Sequence, residues 1–149
     1  MSSNLTTFTN LKIVIMCLIV KGERKIKTSK HNIKVWKLIH KCGNTYITPC
    51  VFRPVSKEMK FPIYQSEVNE GLIYHGIHSF TSTFAIKEFL AGINSHNFIY
   101  VKAIIPKGTK YIIGRENDIV SERLILEDKY YYKNTYGIFK RKIRKPLHL

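Results

Sequence analysis

Acidic residues are scarce: ten Asp and Glu face 25 Lys and Arg in 149 residues, a net charge of +15. That balance argues against basic partners and favours acidic ones. Long apolar runs are missing as well. "IVIMCLIV" at 13–20 has eight residues, where a helix across a bilayer needs about 20, so no membrane insertion is expected. The run follows a polar, nearly uncharged start and precedes "KGERK" in place of a small-residue cleavage site, which argues against a secretory signal. Its β-branched residues suit a buried strand, and Met16 within it offers an alternative start. Cysteine is sparse and odd in number. Cys17, Cys42 and Cys50 have spacings that fit neither a zinc site nor a disulfide framework, which points to reduced thiols in a cytosol-like compartment.

What is present suits one globular domain: 44% hydrophobic and 23% charged residues in a chain of ordinary domain length. Lys outnumbers Arg 19 to 6, a bias that an AT-rich genome alone would supply. Codon usage does not explain where the charges lie. Residues 1–31 hold six Lys or Arg against one acid, and residues 129–149 hold seven against none, while the middle 97 residues are nearly balanced at twelve against nine. The dense clusters are "KGERKIKTSK" (21–30) and "KRKIRK" (140–145). They make Lys25, Lys27, Lys30, Lys140, Arg141, Lys142, Arg144 and Lys145 candidate contacts to phosphates of nucleic acid or another polyanion.

Along the chain, "NIKVWKLIH" (32–40) alternates as a strand does, and Gly43-Asn44 suits the turn of a hairpin into "TYITPCVF" (45–52), with Pro49 marking an edge. Residues 53–70 carry two prolines and no sustained period, and read as a loop with at most a short strand or turn. "GLIYHGIHSF" (71–80) reads as a strand with a Gly-assisted bend. The helix that follows is capped by Thr81 or Ser82, directs Phe84, Ile86, Phe89 and Leu90 at a sheet, and ends near Gly92. Residues 97–105, 109–114 and 118–126 read as three more strands, and "PKG" (106–108) and "GRENDI" (114–119) as turns. The expectation is an α+β fold: a single domain with a twisted, mainly antiparallel sheet and one central α-helix over 16–128, an N-terminal extension over 1–15, and a basic, Tyr-rich tail over 129–149. In that tail Tyr130, Tyr131, Tyr132 and Tyr136 stand beside lysines, a pattern that suits either base stacking or packing on the sheet.

The pieces "MCLIVK" (16–21), "IKVWKLI" (33–39), "GIHSF" (76–80), "IPKGTKYIIG" (105–114) and "IVSERLI" (119–125) occur in an order that resembles small uncharacterised proteins of large DNA viruses, phages and some bacteria. The resemblance spans roughly residues 16–126. It implies a viral or mobile-element accessory protein, in the host cytoplasm or packaged in the virion, without implying a particular activity. A second set, "FTST" before a helix, "VKAIIPKGTKYI" and "SERLIL", resembles the later half of ADP-ribosyltransferase domains. That resemblance implies NAD as cofactor, Ser82 and Thr83 or their neighbours supporting it, and Glu122 as the glutamate that orients the ribose and stabilises positive charge at the reacting carbon. Without it, no cofactor is expected: Ser82 is equally a helix cap, and Glu122 equally a strand residue paired with Arg123 or a lysine.

His78, near the "FTST" corner, joins Glu122 and Ser82 as a third candidate catalytic residue. His75 and His78 lack a third ligand at useful spacing, so no metal site is expected.

Overall fold

The structure, a computed structural model, describes residues 17–42, 45–47, 55–91 and 98–127. In chain order its strands are β1 (Leu18–Ile19), β2 (Lys27–Thr28), β3 (Ile33–Cys42), β4 (Thr45–Ile47), β5 (Glu58–Lys60), β6 (Leu72–Ile73), β7 (Ile77–Phe80), β8 (Phe98–Ile105), β9 (Lys110–Ile113), β10 (Asp118–Ser121) and β11 (Arg123–Leu126). The helices are α1 (Gln65–Glu70) and α2 (Thr83–Leu90).

Strand alternation explains the centre. Ile33 to His40 of β3 pair antiparallel, residue for residue, with Ile105 to Phe98 of β8. Val35 and Ile39 join one core cluster with Val101, Ala103 and Ile105, and Leu38 and Phe98 join a second with Ala85, Ile86 and Leu90 of α2. Both faces of this central pair are covered, which is why both rows of side chains are largely apolar. A third cluster, Leu18, Val20, Ile63, Val68, Ile73, Ile112 and Val120, packs α1 and the small β1–β6 sheet against β9 and β10.

The large sheet runs β2-β9-β10-β7-β3-β8-β11-β5, with β4 on the end of β3, and every strand pair among the described residues is antiparallel. Cys42 pairs with Thr45, so the expected hairpin is present. The expected single strand over 118–126 breaks at Glu122. Before the break it pairs with β7 and β9, and after it with β8 and β5. One stretch of chain serving both flanks makes the sheet curl, as a twisted sheet does when a strand changes partners.

Two expectations for the helices need correction. The segment read as a loop with at most a short strand or turn holds a short strand, β5, but also the helix α1, so α2 is not the one helix. A six-residue helix is too short to show a period, and it buries only Val68. Its clearest punctuation is Gly71 at φ 84°, whose N–H bonds back to the carbonyls of Glu67 and Val68. In α2, Phe84 faces water at 65% exposure, while Ala85, Ile86 and Leu90 are buried. At 100° per residue Phe84 falls opposite the face that those three share with Phe89. The bend before β7 is real: Gly76 sits at φ 83°, and a Cβ there would meet Val120 Cγ1 at 2.4 Å.

No helix among the described residues is long and apolar enough to cross a membrane. The basic tail, with Lys140, Arg141, Lys142, Arg144 and Lys145, lies outside the described residues, as do the N-terminal extension, Gly43, Asn44, Pro49, Cys50 and Gly92.

Candidate anion-binding site

The N-terminal basic stretch is built into the sheet. Lys27 pairs with Tyr111 and Thr28 with Lys110, making β2 the edge strand next to β9. Ser29, buried, fastens it to the turn at 106–109. Its N–H bonds Thr109 O, its carbonyl accepts from the Gly108 N–H, and its hydroxyl donates to Pro106 O at 2.8 Å and accepts from the Thr109 N–H at 3.0 Å. The "PKG" turn is as expected: Thr109 N–H returns to Pro106 O, with Gly108 at φ 87° in the third position. Upstream, Arg24 donates to Asn69 O at the C-terminal end of α1. Lys25, Lys27 and Lys30 are exposed along this edge, with Lys107 and Lys110 on the adjoining turn and strand and Glu23 as the one acid of the stretch.

Next to the edge lies a cleft of about 440 Å³ lined by Lys60, Phe61, Pro62, Gly108, Thr109, Lys110, Glu122 and Arg123. Three cations and one carboxylate share it. Lys60 stands opposite Arg123 across the β5–β11 pair, and Lys110 belongs both to the cleft and to the basic edge. Glu122 sits at the strand break. Its N–H bonds Lys110 O, its carbonyl accepts from Phe61 N–H, and its Oε2 accepts from Ile63 N–H at 2.9 Å. Arg123 donates from Nη2 to Glu58 at 2.8 Å, so of the two partners offered for Glu122, Arg123 is engaged elsewhere.

The other two candidate catalytic residues lie elsewhere. Ser82 is the N-cap of α2, its hydroxyl accepting from Ala85 N–H at 3.2 Å. Phe80 pairs with Asp118, so Ser82 lies beyond that end of β10 while Glu122 follows the other end. At about 3.3 Å per strand residue, that places more than ~13 Å between them. The cavity at the "FTST" corner, about 330 Å³, is lined by Phe80, Ala85, Glu88, Phe89 and Glu116.

His78 is 3% exposed. Its Nε2 lies 2.9 Å from Tyr74 O, and since a carbonyl only accepts, Nε2 carries the proton. Burial first, and then the Lys37 ammonium, push its pKa down to about 4. Lys37, 1% exposed on the inward row of β3, donates from Nζ to His78 O at 2.7 Å. His75 pairs with Glu67, whose carboxylate also accepts the Tyr74 and His75 N–H groups. The two histidines therefore face different partners, and no group of three His, Cys, Asp or Glu among the described residues is placed to hold a metal ion.

Sequence reasoning singled out Glu122 but missed Lys60, Thr109, Lys110 and Arg123 around it. The usable signal was weak: two lysines within "IPKGTK" and the Arg directly after Glu122. No family model, curated protein or solved structure matches this chain.

Proposed function

We propose that this protein is a viral or mobile-element accessory protein that binds nucleic acid, or another polyanion, through the edge formed by β2 and the 106–110 turn and strand. The observation that carries the reading is the hydrogen-bonded joining of the two segments, which adds Lys25, Lys27 and Lys30 to Lys107 and Lys110 on one border of the sheet. A line of ammonium groups held by a rigid strand attracts a phosphate backbone by charge and releases its counterions, without reading sequence. The test is binding of labelled single- and double-stranded DNA and RNA by the full chain across a salt series. A steep loss of affinity with salt, much reduced in the double variant Lys27→Glu, Lys30→Glu, is the expected result. Binding that ignores both salt and the substitutions would end the reading.

A second reading, ADP-ribosyl transfer from NAD, draws support from Glu122, a carboxylate on the wall of a small-molecule-sized cleft. It requires NAD binding and turnover that Glu122→Gln abolishes without unfolding the chain. No binding at millimolar NAD removes it.

A further inference from the structure

Four buried side-chain polar atoms among the described residues have no hydrogen-bond partner: His40 Nδ1, Ser79 Oγ, Thr109 Oγ1 and Arg123 Nε. Two of the four, Thr109 Oγ1 and Arg123 Nε, belong to residues of the one cleft that also holds Lys60 and Lys110. Thr109 is 3% exposed. A buried donor left unpaired costs about 1–3 kcal/mol, so a fold that tolerates two of them at one cleft has a reason for them outside its own contacts. Both atoms are donors that lack an acceptor. The cations beside them favour an anion as that acceptor.

The remaining walls narrow the ligand further. Glu122 puts a negative charge in the same cleft, its Oε2 tied to the Ile63 amide, and Glu58 neutralises part of Arg123 from outside. A small bare anion meets that repulsion with nothing to offset it. A ligand whose anion is joined to a hydroxyl-bearing and apolar part instead gives Glu122 a hydroxyl to accept and covers Phe61 and Pro62. A phosphate monoester on a nucleotide has these parts. It offers three terminal oxygens and up to two charges, whereas the diester inside a strand has two terminal oxygens and one charge.

We propose that the cleft seats the terminal phosphate monoester of a nucleic-acid strand, held by Lys60, Lys110, Arg123 and Thr109, with the rest of the strand following the basic edge from Lys110. Binding requires the Thr109 and Arg123 side chains to turn, because their unpaired donors are buried. The proposal rests on the polyanion reading above and adds that the site distinguishes a strand's end from its interior.

Three single strands of one sequence, carrying a 5′-phosphate, a 3′-phosphate or hydroxyls at both ends, separate the possibilities by fluorescence anisotropy on the full chain. One phosphorylated end is expected to bind about tenfold tighter than the hydroxyl-ended strand, the difference set by charge-assisted hydrogen bonds, and which of the two it is identifies the polarity. Thr109→Val and Lys60→Gln should each erase most of that preference, bringing the affinities of the phosphorylated and hydroxyl-ended strands together. Equal binding of all three strands, or a preference that survives both substitutions, overturns end recognition and leaves the polyanion reading intact. If no strand binds, the polyanion reading and the proposal's strand both fall. A titration with AMP, followed at the Thr109 amide by NMR, then decides the cleft itself: saturable shifts keep a phosphomonoester seat, and their absence removes it.

Discussion

At the Asp118 end of β10, Ser82 caps a helix and Thr81 donates its N–H and hydroxyl to Asn117 O. At the Glu122 end, Thr109 and Arg123 keep donors with no acceptor, beside two lysines and a carboxylate. Both ends are rich in groups that can do chemistry, yet only at the second do unmatched ones belong to residues that line a cleft. Residue types that suggest an active site in a sequence are the same types that cap helices and close bends. What separates the two uses is whether the fold has already satisfied them.

The comparison is broken most severely by filling Gly76. Its φ of 83° and the 2.4 Å approach of Val120 to a Cβ make Gly76→Val cost about 3 kcal/mol or more. Chemical denaturation should show that loss, and a fold that tolerates Val would mean that the bend is soft. At the basic edge, reversing Lys27 and Lys110 together should weaken single-strand binding by about 100-fold at low salt and lower the salt slope by about two. Thermal unfolding should hardly move, since Lys27 and Lys110 are exposed.

Proton linkage gives the next largest effect, with opposite signs at two neighbouring groups. His78 has a folded pKa of about 4, below the ordinary 6.5, so the stability of its buried neutral form is full above pH 6.5 and is lost as pH falls towards 4. Burial raises the Asp118 pKa from 3.8 to about 6, so its ionised form costs stability above pH 6, and acidification towards pH 4 relieves that cost. The two contributions oppose each other over one window. Asp118→Asn should therefore gain up to about 2 kcal/mol at pH 7 and then lose stability more steeply than the parent on acidification. Parallel pH profiles for the two chains would refute this.

Smaller still is Ser82→Ala, expected to cost about 1 kcal/mol through the lost cap and to leave strand affinity unchanged. Any fall in NAD or nucleic-acid binding would give Ser82 a role that its hydrogen bond does not. Least of all, Thr109→Val should leave stability unchanged or raise it by less than about 1 kcal/mol, because it removes a hydroxyl without a partner.

The central elements were legible because their signals are local. Alternation marked β3 and β8, Ser82 and its spacing marked α2, and Gly76 and Gly108 marked a bend and a turn that need positive φ. α1 escaped because six residues with one buried side chain leave no period to detect. Lys37 stood at an inward position of the alternation, but nothing local says that its ammonium reaches the His78 carbonyl, 41 residues away. The cleft was illegible for the same reason, since it gathers residues 60–62, 108–110 and 122–123 from separate strands and a turn. Pairing register, rather than any motif, brings them together.

The Ser29 clamp also sets a clock. Its partners lie 77 and 80 residues downstream, so during synthesis the basic edge has no strand to join until β9 has been made. At about 5–20 residues per second, that is an interval of ~4–16 s. Throughout it, the lysines of 21–30 lack their β9 partner, and the fixed array that would grip a phosphate backbone is assembled only after residues 106–113 have been made.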